Sequence, residues 1–409
     1  MNQAFFGNKY LILVLAFVSP MIINIGGEVS PGFLFMVATF PFWKRCIDIK
    51  RDQVLKRFVK LFYVIIVVQL IWIPFAETDV FIQIKGLLVT ISGLIYFLYY
   101  YMVYSYNQSV VKWYALGVFV ASFVFVNVLA ETAGGDYGFW KFQVMPRIVS
   151  SAILVYLWTC NNKVMRRFAP ILLVGVGMLG LATGARSSGL TPFIAGVLAL
   201  TIQRGKTELK NIKKYVLTGT VGLYAAYAVL YVPNVLNGNI TSGNSEQLKV
   251  VDNPYNPINL LVIGRTDSMV PFIAFLDNPI TGWGYNTTDP GFKYHLLINK
   301  LKVDSGEGYS QDSSIKYNIP GHSIWGYYAC SYGIVVFVAL CMILYNVWKI
   351  VFRSLVVRDK YLLYRIFALF GITWNFLFSP MPHFKTLPAS IALVVVFSVS
   401  ALKMKNYEK

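Results

Sequence analysis

His322 stands in "NIPGHSIWGYY" (318–328), where a long polar stretch gives way to an apolar run. The chain has 409 residues and only three histidines. An imidazole titrates at about pH 6.5, so one held at this boundary can take a proton from a reacting hydroxyl at neutral pH. Two arginines occupy comparable places. Arg186 lies in "LATGARSSGLTPF" (181–193), a tight turn between apolar runs. Ser187, Ser188 and Gly189 follow it and offer backbone donors at the start of the next helix. Arg265 opens an amphipathic stretch in "LVIGRTDSMVPFIAFLDNPITGWGYN" (261–286). A guanidinium is planar, permanently charged and matched to two phosphate oxygens at once. Each arginine also has a plain structural reading: Arg186 snorkelling to headgroups, Arg265 pairing with Asp267 at the surface.

Two arginines, one histidine and adjacent lipid suit a lipid-linked pyrophosphate donor. The arginines would hold the pyrophosphate and stabilise the charge that develops as it leaves. His322 would take the proton of the attacking sugar hydroxyl. Pyrophosphate leaves readily, so this chemistry requires neither a pair of carboxylates nor a metal or cofactor. Trp283, Tyr285, Tyr309 and Tyr317 are candidate sugar contacts, with Trp283 and Tyr285 expected to be exposed in the Gly/Pro turn "NPITGWGYN". Of the other histidines, His295 in "FKYHLL" is expected to be solvated. His383, in "SPMPHFK", is a reserve for the same cavity. Glu28, in "NIGGEVSPG", is read as a capping or turn residue.

The elements that must hold these groups are membrane helices. Hydrophobic residues make up 56% of the chain and charged ones 13%, about half the charge of a soluble domain. Twelve apolar stretches are candidate spans: 10–25, 31–43, 58–75, 83–104, 111–130, 147–160, 169–183, 188–203, 214–232, 323–348, 361–379 and 386–403. The expected fold is all-α and polytopic, a single transmembrane domain over 1–409 with both termini cytoplasmic. With the N-terminus inside, 25 of the 36 basic residues fall on the cytoplasmic side. The net charge of +18 therefore serves topology, and nucleic acid is not an expected partner. Residues 233–321 form one large outer loop between the ninth and tenth helices, expected to carry short amphipathic helices. The four cysteines show no CxxC pair and no zinc spacing, so neither disulfides nor a structural metal are expected. The first apolar stretch has no small-residue cleavage site and is read as a retained helix.

This order of features resembles the O-antigen polymerase and O-antigen ligase family. The residues that carry the likeness are Arg186 in "GARSSG", Arg265 ahead of "NPITGWGYN", and His322 in "GHSIWGYYACSYGIV". By motif it covers roughly 170–350. Residues departing from the family pattern are Ala185 before the arginine and Ser323 after the histidine. They fit the sequence-diverse polymerases better than the ligases. The resemblance implies a metal-independent, inverting glycosyltransferase at the periplasmic face of the bacterial inner membrane. It implies an undecaprenyl-pyrophosphate-linked oligosaccharide as donor, with Arg186 and Arg265 on the pyrophosphate and His322 as general base. A chain-length regulator protein is an implied partner. Two alternatives stand beside the polymerase. A ligase would transfer the glycan to lipid A–core. A transporter of the lipid-linked sugar would show paired halves and ionisable residues inside several helices, which this chain does not display.

Overall fold

The structure is a computed structural model. It describes residues 3–24, 28–76, 78–125, 139–183, 185–204, 227–238, 253–256, 265–302, 317–379 and 387–407, with a few isolated positions between 214 and 248. Among these, thirteen helices of eight residues or more account for nearly all regular structure. They are α1 (Lys9–Phe17), α2 (Pro31–Ala38), α3 (Gln53–Trp72), α4 (Val80–Tyr106), α5 (Val111–Val124), α6 (Met145–Thr159), α7 (Lys163–Ala182) and α8 (Arg186–Arg204), then α9 (Thr266–Asp277), α10 (Lys293–Lys302), α11 (Ile324–Ser354), α12 (Leu362–Phe378) and α13 (Leu387–Tyr407). The only paired strands described are two residues each, Ile23–Asn24 and Glu28–Val29, and Glu28 sits in that turn opposite Asn24.

Among the described residues, six helical segments are long and apolar enough to cross a membrane: Gln53–Phe75, Val80–Tyr106, Trp140–Thr159, Lys163–Ala182, Ile324–Ser354 and Leu387–Met404. Each overlaps one of the twelve expected stretches. Three more stretches hold shorter apolar helices, Gln108–Val124, Ser187–Gln203 and Leu362–Phe378. The stretches 10–25 and 31–43 differ from expectation. The first contains a nine-residue helix, and the second breaks at Thr39 into an eight-residue and a four-residue piece. Pro31 and Pro41 each occupy a first helical turn, and Pro41 has no N–H to continue the bonding of the preceding helix, so the break in "PGFLFMVATFPFW" falls just before it. The stretch 214–232 falls mostly outside the described residues.

Helix starts follow from their caps. Asp52 accepts from the backbone N–H of Val54 and Leu55, Asn162 from Val164 and Met165, and Ser323 from Gly326. Helix α4 is the central post. Its segment "YFLYYYMVY" is buried throughout, with Phe97, Tyr99 and Tyr104 fully enclosed by neighbouring helices, α13 and α3 foremost among them. In lipid there is no water to expel between helices, so this association rests on dispersion contacts and hydrogen bonds. Tyr101 supplies one of the bonds, donating to Asp52 Oδ2 at 2.6 Å. Helices α7 and α8 form a hairpin whose backbones touch. A methyl on Gly180 would lie 2.7 Å from Gly189 Cα, so the pair works only with small residues.

Candidate functional site

Helix α11 is broken at Gly333, whose φ of 76° and ψ of −166° are open only to glycine. The break frees backbone groups that an unbroken helix would use internally. The turn 279–284 takes them up. Trp283 N–H donates to Cys330 O at 2.8 Å, Gly284 N–H to Ser331 O at 2.9 Å, and Ile334 N–H to Pro279 O at 2.8 Å. Gly282 and Gly284, both at positive φ, let the turn lie against the helix backbone. The same turn is fixed to α4, where buried Gln83 accepts from Tyr285 N–H at 3.0 Å and donates to Tyr285 O at 3.2 Å. The motifs "NPITGWGYN" and "CSYGIV" are thus two halves of one backbone joint.

A second joint brings the chain to His322. Residues 287–289 and 317–319 pair antiparallel, with Asp289 N–H on Tyr317 O and Ile319 N–H on Thr287 O. His322 follows, two residues before α11, and is exposed. Its backbone carbonyl accepts a hydrogen bond from Ser268 Oγ at 3.0 Å. The Ser268 N–H in turn donates to Arg265 O at 2.9 Å. One serine in the first turn of α9 therefore joins the backbones of Arg265 and His322, 57 positions apart in sequence.

The Arg265 guanidinium is half-buried over the Trp374 ring, 5.2 Å from its centroid, with Phe378 at 6.0 Å. The plain reading places Arg265 at the surface beside Asp267, whereas its guanidinium is half-buried against these rings. Burial lowers the Arg265 pKa from its ordinary value, and the negative charge of Asp267 partly offsets this. A guanidinium ordinarily titrates far above neutral pH, so the charge persists, and reduced water strengthens its pull on an anion. Trp325, three residues after His322, packs on Phe272 and Phe337 with centroids at 5.0 and 4.9 Å. The arrangement is an exposed histidine and a half-buried cation, the cation backed by aromatic rings.

Arg186 begins α8, and its backbone alone is described. Helix α8 packs along α12. Leu200 and Gln203 near the end of α8 share a cavity with Arg358 and Leu362 at the start of α12, so the two helices run antiparallel. They are about 28 and 25 Å long. The start of α8 therefore lies toward the Trp374–Phe378 end of α12, which Arg265 covers.

The candidate sugar contacts are differently placed. Trp283 and Tyr285 are half-buried rather than exposed. The Trp283 indole N–H donates to Ala274 O at 2.7 Å, and Tyr285 sets its ring edge against Tyr327. Both residues serve the joint. Tyr317 is half-buried against His295 and Phe292, with centroids at 4.9 and 5.3 Å. Tyr309 and His383 lie outside the described residues. His295 is buried, not solvated. Its Nδ1 lies 2.7 Å from Asp289 Oδ2, and Asp289 also accepts from the N–H groups of Tyr294 and His295. The "TDPGF" turn before a helix was the available cue, since an Asp there caps the helix that carries His295. No comparable cue in sequence marks Ser268, Trp374 or Phe378.

No protein-family model matches the chain, and no curated protein matches it.

Proposed function

We propose that the chain is a membrane glycosyltransferase of the O-antigen polymerase type, in the bacterial inner membrane with its site on the periplasmic side and both termini cytoplasmic. Twelve spans, counting the short and interrupted ones, are part of this reading. The observation that carries it is the Ser268 bridge, which ties a half-buried arginine and an exposed histidine together beside an aromatic wall. A polyprenyl-pyrophosphate needs such a boundary, with a cation for the anion and apolar surface for the lipid.

In the proposed reaction the hydroxyl at the non-reducing end of a new lipid-linked repeat attacks the anomeric carbon of the growing glycan. The carbon–oxygen bond to pyrophosphate breaks, and the polyprenyl pyrophosphate departs with that electron pair. Arg265 and Arg186 stabilise the departing charge, and His322 accepts the hydroxyl proton. The ligase reading, with lipid A–core as acceptor, shares donor and groups.

The test is the lipopolysaccharide ladder of a deletion strain carrying wild type, His322→Ala, Arg186→Ala, Arg265→Ala or empty vector. The proposal expects core plus a single repeat from the empty vector and from each variant. Bare core with accumulated lipid-linked polymer assigns the ligase instead. A full ladder from all three variants removes the proposed site, and a full ladder from the empty vector removes both glycan readings.

A further inference from the structure

At the opposite end of α8 and α12 the helices part around a cavity of about 800 Å³. Lys163, Arg166 and Arg167 enter it from the first turns of α7, and Arg358 from the segment between α11 and α12. Asp359 is the only acidic residue among the described residues of the lining. Its Oδ2 accepts from Arg365 Nη1 at 2.7 Å, so its charge is already matched by a fully buried arginine. Four basic side chains from two separate segments thus line one cavity.

The position of three of these charges is unfavourable without a counter-ion. The start of a helix carries the positive end of its dipole, and acidic residues are favoured there. Helix α7 has none in its first turn and instead carries Lys163 and Arg166 there, with Arg167 next. A bound anion would reverse both repulsions. Below the charges the lining becomes apolar. Val164, Phe168 and Ile171 recur at helical spacing on one face of α7 and are 59%, 59% and 47% exposed. A charged mouth above an apolar stripe matches a phosphate headgroup with an acyl chain beneath it. Free phosphate would use the mouth and leave the stripe and most of the volume unfilled.

We infer that this cavity is a binding site for an anionic phospholipid, with its phosphate on Arg166, Arg167 and Arg358 and an acyl chain along Val164, Phe168 and Ile171. Basic pockets between membrane helices bind anionic headgroups by the same physics. The site is separate from Arg265 and His322 and does not depend on the glycosyltransferase reading.

The test uses the full-length chain, purified in detergent and offered phosphatidylglycerol or phosphatidylcholine. Native mass spectrometry counts the retained lipid. Wild type should keep phosphatidylglycerol at least about tenfold better. The triple variant Arg166→Gln/Arg167→Gln/Arg358→Gln should lose that preference. Lys44→Gln/Arg45→Gln/Arg51→Gln, which removes three charges elsewhere, should keep it. Equal retention of the two lipids by wild type, or equal loss in both triple variants, overturns the inference. Protection of wild type from thermal aggregation by inorganic phosphate, to the same degree as by phosphatidylglycerol, would make the ligand a soluble anion and overturn it too. Hydrogen exchange of wild type in nanodiscs of either lipid supplies a readout that needs no variant. Phosphatidylglycerol should protect 163–171 and 358–362, and unchanged exchange there refutes the site.

Discussion

Replacing Gly333 by alanine tests the backbone joint directly. Gly333 has φ 76° and ψ −166°, a region that costs a side-chain-bearing residue about 1–3 kcal/mol. The new Cβ would also collide with Ile280 O. Relief requires the turn to move, which breaks the bond from Ile334 N–H to Pro279 O, a net loss of about 0.5–1.5 kcal/mol. The neighbouring bonds from Trp283 and Gly284 share that turn and weaken with it. The total is about 2–5 kcal/mol, or roughly thirty- to several-thousand-fold in the folded ratio. Gly371→Ala is the control. Nothing lies within 4 Å of its added Cβ, and in a helix the change should be neutral or stabilise by about 0.5–1 kcal/mol. Thermal loss of the monodisperse peak on size exclusion, with limited proteolysis of 278–289, reads both variants. Gly333→Ala should aggregate at lower temperature and be cut within the turn. Indistinguishable behaviour of the two alanine variants would refute the joint.

Three further outcomes are expected. Arg365→Met should destabilise the chain by about 3–5 kcal/mol, because it strips partners from Asp359 Oδ2 and the carbonyls of Ser354 and Val357; lowered thermal stability in detergent checks this. Lys293 Nζ at 2.8 Å and Tyr294 Oη at 2.7 Å donate to Asp277 and hold its carboxyl below the usual range. That contribution is complete above the unfolded pKa of about 3.9 and is lost as pH falls through the lower folded value. Asp277→Asn should therefore be less stable than wild type at pH 7, with the gap closing in acid melts below about pH 4. Ser268→Ala removes the bond to His322 O, worth about 0.5–1.5 kcal/mol, and should shorten the glycan ladder at unchanged protein level, whereas Ser268→Thr should keep it.

Apolar length made the membrane helices legible. Each of the six segments long and apolar enough to span overlaps a stretch visible in the sequence, because about twenty mostly apolar residues in a row have few soluble uses. The chain before residue 44 folds into shorter helices than its hydropathy suggests, for a local reason. Its hydropathy suggests two spans, but Pro31 and Pro41 start new helical pieces within it. At the site, "NPITGWGYN" and His322 stand out by residue type. Their neighbours do not, since Trp374 and Phe378 look like any lipid-facing aromatics until Arg265, more than a hundred positions earlier, is folded onto them. His295 was misjudged because its polar neighbours suggest water. Burial follows instead from Asp289, six residues back, which satisfies the imidazole and two backbone N–H groups at once.

The two joints also separate scaffold from chemistry. Gly282, Trp283 and Gly333 belong to the most recognisable motifs, and each has a structural role in the joint between the turn and α11. Loss of activity on mutating them would follow from loss of the fold and would say nothing about substrate. His322 and Arg265 stand differently. The His322 backbone is held by Ser268 while the residue remains exposed, and Arg265 meets aromatic faces that orient a guanidinium without neutralising it. A residue held through its backbone can lose its side-chain chemistry while the surrounding joint stays closed. Substitutions at these two positions that spare protein level but remove product would therefore report on chemistry, and the joint explains why folding and activity should separate there.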